Sequence, residues 1–144
     1  MKSNVHSLLI IVFAVILLTS CSKEKKIKRH LTGSWTITQV VTVTTVNNGS
    51  PDTVTDNSET VTTFDKDGSG TASSSGSGSN PFPDDFTWSN TDEKLTIVDT
   101  KTPITIVYDV VEHSKKEMIL NTVISGTSSG DPFTNDVTIT MNAE

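Results

Sequence analysis

The sequence predicts an all-β domain of eight antiparallel strands in up-and-down order, closing on itself as a barrel. A β-sandwich is the competing arrangement. Three observations carry the prediction. The chain is rich in Thr and other β-branched residues and poor in Ala and Leu after its N-terminal segment, a composition that suits pleated surfaces. Apolar and polar residues alternate in several stretches, and no window there shows the helical period of 3.6. Short turn signals join most of those stretches, which describes a meander, and closing a meander removes its aggregation-prone edges. Residues 31–144 make one domain by size, with no internal repeat.

The first strand is predicted over Ser34–Val46. Strict alternation there places Trp35, Ile37, Val41 and Val43 on one face and Thr36, Thr38, Thr42 and Thr44 on the other. A second strand covers Ser58–Phe64. Asp65-Lys66-Asp67-Gly68 turns it into a third, Ser69–Ser74, because Asp-Gly between alternating stretches is a hairpin signal. The Gly/Ser-rich stretch Ser75–Asp85, ending in Pro81-Phe82-Pro83, is a loop. Phe86–Ser89 is the fourth strand, with Phe86 and Trp88 on one face. Asn90–Glu93 turns into the fifth, Lys94–Asp99. The sixth, Ile104–Glu112, directs Ile104, Ile106, Tyr108 and Val110 inward. A tight link at Ser114-Lys115-Lys116 leads to the seventh, Glu117–Ile124. After the loop Ser125–Pro132, the eighth runs from Phe133 to Asn142 with Val137, Ile139 and Met141 inward.

The N-terminus reads as an export signal. Lys2 and His6 form a short basic start, Leu8–Leu18 is an unbroken apolar run, and Leu18-Thr19-Ser20-Cys21 follows. The apolar run is too short for a spanning helix, which needs about 20 residues. The four residues ending in Cys21 resemble the lipobox of bacterial lipoproteins. That resemblance implies cleavage before Cys21 and its modification with acyl chains such as palmitate, giving a signal peptide over residues 1–20. Two or three chains hold a protein stably on a bilayer where one does not. Cys21 is also the sole cysteine, so no disulfide is available to the domain. Residues 21–30 read as a basic tether, either a solvated linker ending in a helical turn or a segment drawn to anionic head groups. Ser22 is not the Asp that retains such lipoproteins in the inner membrane, so the resemblance implies the outer membrane of the cell envelope, in either leaflet.

Charge divides sharply along the chain. The tether holds five basic residues and one acid. From Leu31 onward there are 16 acidic residues against five lysines and no arginine, a net charge of −11. A domain of that sign repels nucleic acid, which is discarded as a partner. A monomer is expected.

Leu31-Thr32-Gly33-Ser34-Trp35 resembles the Gly-x-Trp opening of lipocalins and of the lipocalin-like lipoprotein domains of Gram-negative bacteria. Phe64, Asp67, Gly68 and Gly70 match the Phe–acidic–Gly–x–Gly of the latter's next hairpin. Phe86, Trp88, Lys94, Leu95 and Ile97 match an aromatic pair before a Lys-Leu-x-Ile strand, and Tyr108 and Leu120 continue the order. Lipocalins proper place an arginine on or after the last strand, over the Trp, and residues 31–144 contain none, so the looser lipocalin-like group fits better. The resemblance implies a lipocalin-like barrel closed at the Trp35 end, with a small apolar ligand inside. Trp35, Phe86, Trp88, Tyr108, Phe82 and Phe133 are the candidate ligand contacts. For Trp35, Phe86, Trp88 and Tyr108 the plainer role is core, and for Phe82 and Phe133 it is folding back onto the barrel.

Motifs for chemistry are short of their partners. Asp65-Lys66-Asp67-Gly68-Ser69-Gly70 opens like a calcium loop, but Gly76 stands where the bidentate Glu belongs and strands flank it. Gly126-Thr127-Ser128-Ser129-Gly130 matches a nucleophile elbow, but His113 lies upstream and no helix follows. A lone domain histidine does not make a zinc site. Asp52-Thr53-Val54 resembles an acceptor for O-glycosylation at Thr53. These readings imply no catalysis, no metal and no cofactor. The expected function is a lipid-anchored envelope lipoprotein binding a small apolar ligand; the alternative is a non-catalytic interaction module contacting a protein or glycan through its loops.

Overall fold

The computed structural model describes residues 22–74 and 80–144, so Cys21 and the export signal expected over residues 1–20 lie outside the described residues. One helix precedes nine strands: α1 (Ser22–Leu31), β1 (Gly33–Val46), β2 (Asp52–Asp56), β3 (Thr60–Phe64), β4 (Ser69–Ser74), β5 (Asp85–Asn90), β6 (Lys94–Asp99), β7 (Thr105–His113), β8 (Glu117–Ser128) and β9 (Asp131–Ala143). Every pairing is antiparallel. The order β1-β3-β4-β5-β6-β7-β8-β9 returns to β1 through the β1–β9 pairing, giving a closed eight-stranded barrel. The sandwich alternative is thereby set aside.

β2 is an addition that alternation did not reveal. All but the last of its five residues are exposed, so no buried face writes a period-2 pattern into Asp52-Thr-Val-Thr-Asp56. It pairs with Val40–Thr44 of β1, whereas β3 takes Gly33–Ile37 of the same edge. Between the two stretches the β1–β9 register slips by one residue, with Ile37 opposite Met141 and Gln39 opposite Thr140. This bulge at Thr38 reverses the phase of the strand. Val40, rather than Val41, therefore joins Trp35 and Ile37 in the core, while Val41 and Val43 are half-buried. A second slip between Val110 and Glu112 bends β7, and Ile104, expected inward, is exposed before the strand begins.

Residues 22–30 form most of a helix rather than a loose tether. Ile27 and Leu31, four residues apart, are fully buried, and each such side chain stabilises its position by about 1.5–3 kcal/mol. A ten-residue helix is marginal alone, so docking sustains it. Trp35 Nε1 donates to the Leu31 carbonyl at 2.7 Å, and Asn90 Nδ2 donates to the Glu24 carbonyl at 3.1 Å. Gly33, at φ +132°, supplies the backbone conformation that turns the chain from helix into β1. α1 thus covers the end of the barrel formed by the start of β1, the end of β9 and the β3–β4, β5–β6 and β7–β8 turns.

Candidate functional site

The barrel interior is an aromatic core. Trp35, Phe64, Phe86, Trp88 and Tyr108 project inward from β1, β3, β5 and β7 and are buried together with Leu95, Ile97, Met118, Leu120, Ile139 and Met141. Phe64 lies at its centre, with its ring centroid 5.4 Å from Phe86, 5.6 Å from Trp88 and 5.9 Å from Phe82, all edge-on. Phe64 was not among the expected contacts, and no alternation marked it, since Thr60 and Thr62 share its buried face while Val61 lies on the other.

Phe82 comes from the loop between β4 and β5 and is 3% exposed, so it fills the mouth instead of rimming it. Its ring centroid lies 5.5 Å from that of Tyr108, edge-on, and the Tyr108 hydroxyl donates to the Pro81 carbonyl at 2.9 Å. Burial pushes the Tyr108 phenol well above its ordinary pKa, so it stays a donor. Asn80 Oδ1 accepts from the Phe82 amide at 3.1 Å, and the Ala72 amide donates to the Asp84 carbonyl at 2.9 Å. Lys101 pairs with Asp85 at 2.9 Å and Asp84 at 3.7 Å on the other side of the loop. Five expected contacts, Trp35, Phe82, Phe86, Trp88 and Tyr108, thus converge in one cluster.

Phe133 stands apart on β9, opposite Val46 and Gly126 and half-buried. It belongs to the stretch where β1, β2, β8 and β9 rise beyond the closed wall. Val46, Val54 and Ile124 are exposed on the same stretch.

Three buried side-chain polar atoms lack a hydrogen-bond partner among the described residues: Thr62 Oγ1, Asn80 Nδ2 in the mouth loop and Asn135 Oδ1 on β9. Thr62 is fully buried. Thr122, also buried, donates to the Val107 carbonyl at 2.9 Å.

The tempting motifs resolve as turns and strands. Asp65–Ser69 is a hairpin turn in which Asp67 Oδ1 accepts from the Ser69 amide at 2.9 Å and its hydroxyl at 2.7 Å. The Ser69 bonds hold the Asp67 carboxyl below its usual pKa. Gly126–Ser128 belongs to β8, which reverses through Ser129 and Gly130 into β9. Thr53 is exposed on β2. No group of three or more metal-ligating side chains occurs among the described residues.

The residues 31–120 match the family model for the lipocalin-like domain. This chain belongs to the lipocalin-like domain family. The match spans β1 through Leu120 in β8, and β9, which closes the barrel, lies beyond it. A search of curated proteins found no match. In this lipocalin-like barrel β9 carries no arginine. Arg29 of α1 lines a cavity of about 290 Å³ together with Trp35, Ala143 and Glu144.

The helix also brings two histidines together. His30 Nδ1 and His113 Nδ1 lie 3.3 Å apart, with ring centroids separated by 5.4 Å. Partial burial lowers both pKa values first; His113, Lys26, Arg29 and Lys115 add to the effect on His30, and Lys26 and Lys23 on His113. A histidine whose folded pKa is depressed stabilises the fold above its unfolded pKa of about 6.5 and loses that contribution as pH falls below it. Thermal unfolding is therefore expected to shift to lower temperature between pH 7.5 and pH 5.5. The shift should be smaller in His30→Gln, and an equal shift in the two proteins would refute the assignment.

Proposed function

We propose that this chain is a lipid-anchored protein of the bacterial cell envelope, held at the outer membrane, and that its lipocalin-like barrel is a non-catalytic binding module. The observation that supports it is the position of α1. The helix begins one residue after Cys21 and ends packed against the barrel floor, so acyl chains on Cys21 would set the closed end against a bilayer and face the opposite rim outward. Nine of the ten described lysines and arginines lie in α1 or at that end, and Lys101 alone lies at the other. Asp52, Asp84, Asp85, Asp99 and Asp131 lie at the outer rim. In cells, wild-type protein is expected in the membrane fraction and Cys21→Ala in the soluble envelope fraction. Equal membrane retention of the two would sink the anchoring.

A second reading, a small apolar ligand in the barrel, is favoured by the Thr62 hydroxyl. Leaving a buried hydroxyl unpaired costs about 1–3 kcal/mol, and a ligand carrying one polar atom would satisfy it. The ligand would take the space of Phe82, the interior aromatic that comes from a loop rather than from a strand and is therefore the one most readily displaced. Thr62→Val should stabilise the ligand-free protein by about 1 kcal/mol in urea unfolding. Destabilisation instead would show that the hydroxyl is already satisfied in solution.

A further inference from the structure

We infer that the cleft between α1 and the β3–β4 turn is a binding site for a phosphate-type oxyanion. Lys25, Lys28, Arg29 and Thr32 fall at positions i, i+3, i+4 and i+7, a single stripe along the helix and its end. With Lys66 at the turn they line one cavity of about 330 Å³, room for an oxyanion with part of its hydration shell, since a water occupies about 30 Å³. Four cations and no acid line it. None of the four takes part in the ion pairs found among the described residues, which involve Lys23, Lys94 and Lys101. The helix's acid, Glu24, lines a different cavity with Asp92, Glu93 and Lys94.

Like charges at these spacings destabilise a helix, so the stripe is a local cost that the fold carries. Lys28 and Arg29 are partly explained by the negative end of the helix dipole, but Lys25 and Lys66 are not. The walls are fixed in advance. On one side Ile27 and Leu31 are buried, and the Thr32 amide and hydroxyl both donate to the Lys28 carbonyl, at 3.0 and 2.8 Å. On the other, the Trp88 amide donates to the Gly68 carbonyl at 2.7 Å and its indole to the Ser69 carbonyl at 2.8 Å, tying the turn to β5. Lys28 Nζ stands 5.7 Å from the Trp88 ring centroid, which links the two walls. Asp65 and Asp67 flank Lys66, but the Asp67 carboxylate is held within its own turn by Ser69. The backbone positions of the two walls are thus fixed, and four cations converging on one cleft favour an anion with several acceptor oxygens.

The oxyanion has two possible sources, a free phosphate or a phospholipid head group; only the second rests on the proposed anchoring, which Cys21→Ala tests separately. The full chain in neutral detergent micelles is titrated with inorganic phosphate, and in a second arm the micelles are doped with phosphatidylglycerol or phosphatidylcholine. The amide resonances of Thr32 and Lys66 report occupancy. Saturable shifts with phosphate identify a free anion, and shifts with phosphatidylglycerol alone identify a head group. Lys66→Gln should weaken binding about fivefold, as expected for one cation at such a surface, while Lys116→Gln, an equal charge change outside the cleft, should leave it unchanged. Equal weakening by both variants, or no saturation in either arm, would overturn the site.

Discussion

Trp35→Ala is expected to remove about 4–5 kcal/mol of stability, a large share of what a domain of this size holds. Trp35 is among the largest fully buried side chains, and truncating such a residue costs about 3–5 kcal/mol through lost transfer energy and the cavity left behind. Its indole N–H is also the partner of the Leu31 carbonyl, so the variant strands an acceptor at the end of α1. Trp35→Phe retains most of the ring and loses the bond, and should cost about 1–2 kcal/mol. Urea unfolding checks both, with the helix signal expected to decay before the sheet signal in each variant. Equal losses for the two would mean that the hydrogen bond, not the packing, carries the effect.

Gly70→Ala is expected to cost about 3 kcal/mol, at the upper end for overpacking. A Cβ at Gly70 would stand 2.8 Å from the Thr63 carbonyl oxygen and closer still to the Phe86 ring, between strands that pair Gly70 with both Phe64 and Phe86. The ring could shift, but the carbonyl belongs to the β3–β4 ladder and cannot move without breaking register. Phe86→Leu in the Gly70→Ala background should therefore restore only part of the loss. Full restoration in a double-mutant cycle would show that the ring alone is the obstacle.

How much of this was legible in the sequence differs from element to element. The strands of Phe86, Trp88, Leu95 and Ile97 have one buried apolar face, so burial writes itself as alternation. The bulge at Thr38 left no mark because Thr36 to Val46 is an almost unbroken β-branched run in which either phase looks apolar enough. β2 left none because it is exposed on both faces. α1 carried a signal that charge obscured: Ile27 and Leu31 are spaced four apart among basic residues, and only the tertiary docking shows that they are buried. For the candidate site, the aromatic types were readable at Trp35, Phe86, Trp88 and Tyr108. Whether Phe82 rimmed the mouth or filled it depended on where Pro81 met Tyr108, a contact 27 residues apart that no local pattern encodes. The cleft was unreadable for the same reason, since Lys66 is distant in sequence from the helix it faces.

The seam between β1 and β9 has a kinetic consequence. The first and last strands meet along eleven residue pairs, from Trp35 with Ala143 to Val46 with Phe133, and Thr36 reaches Glu144 across 108 residues of chain. Contacts that distant form late and slowly, because loop-closure entropy is lost before they return any stabilisation. Until β9 is available, β1 keeps one edge open along its whole length and the barrel cannot close. The fold is therefore locked by the β1–β9 pairing, the contact most distant along the chain. The same topology that closes the eight-stranded wall leaves the flank of β1 that faces β9 unpaired until the last strand docks.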